Sequence, residues 1–388
     1  MKTLLFVFGT RPEAIKLAPL ILKAKSQGQF NVLVCSTGQH REMLTPILDF
    51  FEIKPDFNLD VMKPNQNLSS VSQLVMSGVQ KILDTHAIDA IIVQGDTTSC
   101  YIAGLVGFHN KVKVIHIEAG LRSGDVTSPY PEEFYRKSLG LFADLHMAPT
   151  ETAAQNLIQE NICNTRVHVT GNTGIDALCE VKNRIANSAT ILQMQQEYFS
   201  FLNPQKKLIL VTVHRRESFG EAMEEVMKGV LLLAQNPEYE IIFPMHLNPS
   251  VRESAKKVFQ DSANWITKNH QEVIAGRNIW LCDPIDYIPF VYLMDRAHLI
   301  VTDSGGVQEE APTLGKPIVV AREKTERTEA LDAGTSILAP MNADGLANLC
   351  EKIMGCQDTY KKMSTAANPY GDGKASEKII TVLSNYFA

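Results

Sequence analysis

Three acidic side chains stand at places that suit acid–base chemistry. Asp96 stands in Gln94-Gly-Asp-Thr-Thr-Ser99 beyond the run Ala90–Gln94, and Glu118 in His116-Ile-Glu-Ala-Gly-Leu-Arg-Ser-Gly-Asp125 after Val114–Ile117. Glu132, with Glu133, opens a helix in Ser128-Pro-Tyr-Pro-Glu-Glu-Phe-Tyr-Arg136. Carboxylates gathered in one cleft raise one another's pKa, which brings a proton donor or acceptor towards neutral pH. Asp96 alone would serve equally as a helix cap, and the helix dipole favours an acidic first turn in any case. Cations recur in the same pattern: Arg11 and Lys16 in Gly9-Thr-Arg-Pro-Glu-Ala-Ile-Lys16, then His214, Arg215 and Arg216 in Val213-His-Arg-Arg-Glu-Ser-Phe-Gly220. His246 in Pro244-Met-His-Leu-Asn-Pro249, and Arg322 and Arg327 later, add to the set. Guanidinium forks match phosphate oxygens, and an imidazole shuttles a proton to a leaving phosphate.

A second kind of signal is Asp303-Ser-Gly-Gly306, read as a strand running into a tight turn and a helix. Gly305 and Gly306 let the backbone approach a ligand, and the N–H groups after Ser304 form an anion nest; the same residues also suit an ordinary serine-capped corner. Glu309 and Glu310 would repel a phosphate they faced, so at least one of them should turn to a neutral hydroxyl such as that of a ribose. The census fits a phosphate-rich ligand with a proton-exchanging carbon. Gly38-Gln-His-Arg-Glu42 mixes amide, imidazole and guanidinium without a decisive signal. Gly-x-Gly-x-x-Gly, His-Glu-x-x-His and cysteine clusters are absent from the sequence, so no dinucleotide fingerprint or metal motif is read and no cofactor is expected.

These groups need strands to aim them. Leu4–Phe8, Val32–Ser36, Ala90–Gln94, Val114–Ile117 and Leu145–Ala148 are apolar throughout, which predicts parallel strands buried on both faces and separated by helices. A second set follows: Val167–Thr170, Leu208–Val213, Ile241–Met245, Ile279–Leu281, Leu299–Thr302 and Pro317–Val320. The glycine-rich break Val169-Thr-Gly-Asn-Thr-Gly174 puts a boundary near residue 170. The expected architecture is α/β, two Rossmann-like doubly wound domains facing a cleft: residues 1–170, then 171–373, with the helix at about 374–388 crossing back to the first. Residues 181–206 read as one long helix. With 388 residues, 45% hydrophobic and 21% charged, the chain has ample core for two domains. A net charge of −6 argues against a nucleic-acid or membrane-surface partner, and seven scattered cysteines suit a reduced, cytoplasmic setting. The apolar start, Leu4–Phe8, is too short for a signal peptide or a membrane span.

Eight ordered motifs, from Phe8-Gly-Thr-Arg-Pro-Glu-Ala-Ile-Lys16 through Gln39-His-Arg-Glu-Met43, Gln94-Gly-Asp-Thr-Thr98, His116-Ile-Glu-Ala-Gly-Leu-Arg122, Pro131-Glu-Glu133, His214-Arg-Arg-Glu-Ser218 and Asp303-Ser-Gly-Gly306 to Asn368-Pro-Tyr-Gly-Asp-Gly373, resemble those of the non-hydrolysing UDP-N-acetylglucosamine 2-epimerases. The resemblance implies a GT-B-like fold and interconversion of UDP-N-acetylglucosamine and UDP-N-acetylmannosamine by anti elimination of UDP to 2-acetamidoglucal and re-addition. It implies Asp96, Glu118, Glu132 and His214 as catalytic groups, without ordering the carboxylates. It further implies Arg11, Lys16 and Arg215 at the pyrophosphate or sugar, Ser304, Gly305 and Gly306 at the diphosphate, Glu310 at the ribose, Phe290 near uracil, and Arg327 in the binding set. Gln39, His40, Arg215 and His246 match parts of a site for a second UDP-N-acetylglucosamine acting as activator, with Asn65 where some relatives carry arginine. A homodimer is expected. Tyr130, Tyr135 and Thr328 depart from the family pattern. The alternatives are a 2-epimerase of a modified UDP-amino sugar, a hydrolysing epimerase, a GT-B glycosyltransferase and a silent UDP-sugar-binding regulator.

Overall fold

The computed structural model describes residues 1–39, 41–62, 66–186, 189–213, 220–267 and 270–388, with the backbone alone at Arg41 and Glu42. It divides into two compact units, Met1–Glu180 with Tyr370–Ala388, and Val181–Pro369.

The first unit runs β1 (Lys2–Phe8), α1 (Arg11–Gln27), β2 (Phe30–Ser36), α2 (Arg41–Phe50), β3 (Phe57–Asn58), α3 (Leu68–Thr85), β4 (Ala90–Gln94), α4 (Thr98–His109), β5 (Lys113–Ile117), α5 (Glu132–Phe142), β6 (Leu145–Ala148), α6 (Glu151–Gln159), β7 (Val167–Val169) and the first part of α7 (Thr173–Ile185), whose last residues, from Val181, fall in the second unit. Among the described residues its sheet has seven strands in the order β3-β2-β1-β4-β5-β6-β7, all parallel, as the unbroken apolar runs predicted. Leu5 and Val7 of β1 and Ile91 and Val93 of β4 share a core with Val75 and Val79 of α3 and Val106 of α4. The order reverses between β1 and β4, the switch point beside which open α/β sheets place ligands. Thr10 caps α1, Pro12 sits in its first turn, and Gly28 at φ +65° ends it in the left-handed conformation that glycine adopts without strain.

The second unit comprises α8 (Ala189–Tyr198), β8 (Lys207–Thr212), α9 (Glu221–Leu233), β9 (Tyr239–Pro244), α10 (Pro249–Phe259), β10 (Asn264–Thr267), β11 (His270–Glu272), β12 (Ile279–Cys282), α11 (Tyr287–Arg296), β13 (Leu299–Thr302), α12 (Gly305–Glu310), β14 (Ile318–Val320), α13 (Thr328–Asp332), β15 (Ser336–Leu338), α14 (Ala343–Gly355) and α15 (Gln357–Ser364). Its strand order is β11-β10-β12-β9-β8-β13-β14-β15, parallel except for the β10–β11 pair. The switch point lies between β8 and β13. Ile209 and Val211 of β8, Val230 of α9, Phe243 of β9 and Leu346 and Ile353 of α14 share its core.

The last helix, α16 (Ala375–Phe387), belongs to the first unit. Both Asp176 oxygens cap it, accepting the N–H groups of Ala375 at 3.1 Å and Ser376 at 2.7 Å, and Phe387 packs edge-on against Phe30.

Two expectations need correction. Val167–Thr170, grouped with the second set, is the seventh strand of the first sheet, paired with β6. Residues 181–206 are not one helix: α7 ends at Ile185, α8 spans Ala189–Tyr198, and the chain beyond is held by the Asn203 N–H on Glu240 Oε2 at 2.6 Å. The strands that sequence reading missed, β3, β10, β11 and β15, are two to four residues long, and hydrophobic periodicity has little length in which to register there; β3, β11 and β15 are also edge strands.

Candidate active site

In the first unit, polar groups collect beyond the carboxyl ends of β1, β4 and β5. Glu118 follows β5 with φ +63°, a left-handed conformation that costs a non-glycine residue roughly 1–3 kcal/mol. Its carboxylate is held on both oxygens. Lys16 Nζ donates to Oε1 at 2.5 Å, and the Gln94 amide donates to Oε2. A Cβ on Gly95 would lie 3.8 Å from Glu118 Oε2, so the carboxylate stands beside the residue that precedes Asp96. Asp96 Oδ2 in turn accepts Arg136 Nε at 2.7 Å and faces its Nη2 at 2.6 Å. Sequence reading opposed carboxylates and cations as two sets; the fold interleaves them, Lys16 on Glu118 and Arg136 on Asp96.

Arg136 comes from α5, one turn after Glu132, and its Nη1 also meets Glu133 Oε2 at 3.2 Å. Glu133 is fully buried. Its Oε2 also takes the Ser123 N–H at 3.1 Å, while Oε1 has no partner among the described residues. Glu132, the acid singled out from sequence, is half-buried, and its Oε2 likewise has no partner among the described residues. Tyr135, on the same helix, is buried and stacked on Tyr101 with centroids 4.8 Å apart.

The turn carrying Asp96 is anchored from below. His116 Nε2 donates to the Gly95 carbonyl at 2.7 Å, and the Cys100 thiol donates to the same oxygen at 3.3 Å. Burial pushes the His116 imidazole down to about 4, which keeps it neutral. His146 is its neighbour in register on β6, and burial pushes it down to about 3. Gln39, beyond β2, accepts the Ser99 hydroxyl at 3.1 Å, and Ser99 also bonds Thr37 at 2.8 Å. Arg11, half-buried, opens α1. A cavity of about 520 Å³ beside α2 and β3, lined by Leu44, Leu48, Asp49 and Lys54, holds none of the acid–base candidates.

In the second unit Ser304 caps α12, and its N–H donates to Thr302 Oγ1 at 3.0 Å. A Cβ on Gly305 would meet the Arg327 guanidinium at 3.1 Å, so this cation lies against the glycine turn. Arg327 Nε also pairs with the buried Glu309 Oε1 at 2.6 Å. The two acids therefore divide: Glu309 turns inward to Arg327, and Glu310 stays half-buried at the end of α12. Asn368 fastens the far side through the Glu309 carbonyl at 2.8 Å and Thr313 Oγ1 at 2.7 Å. Arg322 Nη1 pairs with Glu326 at 2.6 Å. Phe290 is half-buried in the first turn of α11, and His246 is exposed after β9, its Nδ1 accepting the Asn248 N–H at 3.1 Å.

His40, Asn65, His214, Arg215 and Arg216 lie outside the described residues. Among the described residues, no three His, Cys, Asp or Glu side chains gather as a metal cage, and no helix is long and apolar enough to cross a membrane. Sequence reasoning gave no role to Gln94, Glu133, Arg136 or Glu13. The available signals were the i, i+3 spacing of Glu133 and Arg136 and the capping-box spacing of Thr10 and Glu13.

Two parallel-sheet α/β domains with acid–base and anion-binding groups at their strand ends define a GT-B-like protein. The comparisons narrow the class. The family model described as UDP-N-acetylglucosamine 2-epimerase matches residues 22–384, and the chain belongs to that family. It is 44% identical over 383 residues, 98% of each chain, to a UDP-N-acetylglucosamine 2-epimerase of Yersinia pestis. The UDP-GlcNAc 2-epimerase of Neisseria meningitidis, solved bound to UDP-GlcNAc, superimposes with a TM-score of 0.86 at 40% identity, covering 99% of this chain and 100% of that one. The Methanocaldococcus jannaschii UDP-GlcNAc 2-epimerase, solved in complex with UDP-GlcNAc and UDP, superimposes with a TM-score of 0.76 at 28% identity, covering 99% and 100%.

Proposed function

We propose that the chain is an isomerase that interconverts UDP-N-acetylglucosamine and UDP-N-acetylmannosamine without net hydrolysis. Family membership supports the activity, and the pairing of Glu118 with Lys16 next to Asp96 with Arg136 carries the chemical reading. A base removes the proton from carbon 2 while the bond from carbon 1 to the UDP oxygen breaks, leaving 2-acetamidoglucal and UDP. The same oxygen then re-adds to carbon 1 as an acid delivers a proton to the other face of carbon 2. Asp96 and Glu118 are the acid–base pair on this reading, with Glu132 in support and His214 serving the leaving phosphate.

On the same reading Arg11, Lys16 and Arg215 take the pyrophosphate or sugar, Ser304, Gly305, Gly306 and Arg327 the diphosphate, Glu310 the ribose and Phe290 the uracil. We place the enzyme in the cytoplasm as a homodimer supplying a precursor for polysaccharide synthesis. Gln39, His40, Arg215 and His246 are the groups for a second UDP-N-acetylglucosamine acting as activator.

Incubation with UDP-N-acetylglucosamine alone in deuterated water, followed by NMR, tests the reaction. UDP-N-acetylmannosamine carrying deuterium at carbon 2 is the expected product; free sugar, or no exchange, refutes the proposal. Asp96→Asn and Glu118→Gln should each lower turnover at least ~100-fold, the usual scale for acid–base groups. Near-normal turnover in both removes their assignment.

A further inference from the structure

The β1–α1 corner already holds an anion, and it is part of the chain. Glu13, in the first turn of α1 and 1% exposed, turns its side chain back into the corner. Its Oε2 accepts the N–H groups of Gly9 at 3.0 Å and Thr10 at 2.7 Å and the Thr10 hydroxyl at 2.7 Å. In an open α/β sheet the free N–H groups of such a corner are the ones that would take a ligand phosphate. Here a carboxylate occupies them. The other oxygen, Oε1, accepts the Thr97 hydroxyl at 2.6 Å. That hydroxyl also accepts the Cys100 N–H at 3.1 Å, so its own proton is committed to Glu13.

Thr97 directly follows Asp96, so what fixes the Thr97 hydroxyl also fixes the backbone from which the Asp96 side chain leaves. The corner has little slack, because a Cβ on Gly9 would overlap the hydroxyls of Thr37 and Ser99. Burial pushes the Glu13 carboxyl up, and its four hydrogen bonds pull it back. Those donors match an acceptor fixed in place, not a group exchanging protons with a substrate.

We propose that Glu13 is a positioning residue for epimerisation: a built-in anion that closes the first unit's own phosphate corner and, through Thr97, holds the Asp96 turn against the turn carrying Arg11 and Lys16. Two consequences follow. A ligand phosphate is excluded from the N–H groups of this corner and can meet it only through side chains. The geometry of Asp96 depends on a residue that never touches the substrate.

The inference rests on the epimerase reading, and the wild-type enzyme tests that reading separately in each assay. The variants are Thr97→Val, Thr97→Ser and Glu13→Gln, measured by steady-state epimerisation of UDP-N-acetylglucosamine across pH. Thr97→Val should lower kcat about 10-fold with KM changed less than about 2-fold, the pattern of a misplaced reacting group. Thr97→Ser restores the hydroxyl and should recover at least half of the wild-type kcat. Glu13→Gln should lower kcat while both limbs of the kcat–pH profile stay where they are. An inactive wild type sinks the epimerase reading itself. With an active wild type, a normal kcat in Thr97→Val, no recovery in Thr97→Ser, or loss of a pH limb in Glu13→Gln overturns the positioning role. Should Glu13→Gln fail to fold, the Thr97 pair decides.

Discussion

Replacing Arg136 by Met separates two jobs that one guanidinium performs. Arg136 is 19% exposed and bridges Asp96, 26% exposed, to Glu133, which is fully buried. Without it Asp96 turns to water at little cost. Glu133 has no such escape, because its Oε1 lacks a partner among the described residues and its Oε2 keeps only the Ser123 N–H. Removing one partner of a buried pair typically costs 3–5 kcal/mol; since Arg136 is itself partly wetted, the low end of that range, about 3 kcal/mol, is expected here. Urea unfolding of Arg136→Met measures it. Adding Glu133→Gln removes the stranded charge and should return about 2 kcal/mol, a coupling that a double-mutant cycle isolates. Activity should behave otherwise. Turnover is expected to fall about 10–100-fold in Arg136→Met, as when a reacting group is displaced by about 1 Å, and to stay low in the double variant, where Asp96 is still without its partner. A stability loss below about 1 kcal/mol would refute the charge argument, on the scale of an exposed pair. Recovery of turnover along with stability would mean that Arg136 acts through Glu133 and not on Asp96.

Acid should destabilise the fold through its buried histidines. His116 and His146 have folded pKa values of about 4 and about 3, below the unfolded value of about 6.5, so the unfolded chain binds more protons once the pH falls below 6.5. Their contribution is complete above that pH and should drop by about 2 kcal/mol per histidine at pH 5. Glu13, raised by burial, works in the opposite sense, its contribution being lost as pH rises through its folded pKa. The urea midpoint should therefore decline between pH 7.5 and 5, less steeply in His146→Leu; a flat midpoint counts against the argument. Asp176→Ala strips both caps from α16 and strands two N–H groups, an expected loss of about 2–4 kcal/mol. Equilibrium unfolding reads that loss, and limited proteolysis should release the final helix. An unchanged midpoint would mean that the caps contribute nothing.

Most of the strands that sequence reading found, such as Leu4–Phe8 and Ala90–Gln94, are buried on both faces, because an unbroken apolar run is itself the signature of a central parallel strand; the edge strand β7 is the exposed exception. Asp96 and Glu118 were legible for a related reason: a carboxylate directly after such a run stands at the ligand-binding rim. Partners were not legible. Lys16 and Glu118 are 102 residues apart and Arg136 and Asp96 are 40, and which cation meets which acid is set by strand order and register, which no local pattern encodes. Glu118 at φ +63° was equally hidden, since glycine is the residue that advertises a left-handed turn. Glu13 shows the same limit from the other side. Its position three residues after Thr10 marks a capping box, but the Thr97 hydroxyl that makes it a bridge lies 84 residues away.

The pairing also changes what drives proton exchange. From sequence, three carboxylates in one cleft suggested mutual repulsion as the source of an acid near neutrality. In the fold each of the two assigned acids faces a cation instead, Lys16 on Glu118 at 2.5 Å and Arg136 on Asp96 at 2.6 Å, and the same holds for Glu309 with Arg327. Each of these acids is thus held against a cation. On the proposed reading, exchange of partners is what frees an acid to act. Lys16 was read as a cation for the substrate, yet it already pairs with Glu118, so on the proposed reading a substrate oxyanion that attracts Lys16 weakens its hold on Glu118 as that carboxylate acts. Asp96 has no such release, because Arg136 is fixed by Glu133 as well as by Asp96. The two acids are thus unequal before any substrate arrives: Glu118 is held by a flexible ammonium that a ligand can draw off, and Asp96 by a planar fork locked from two sides.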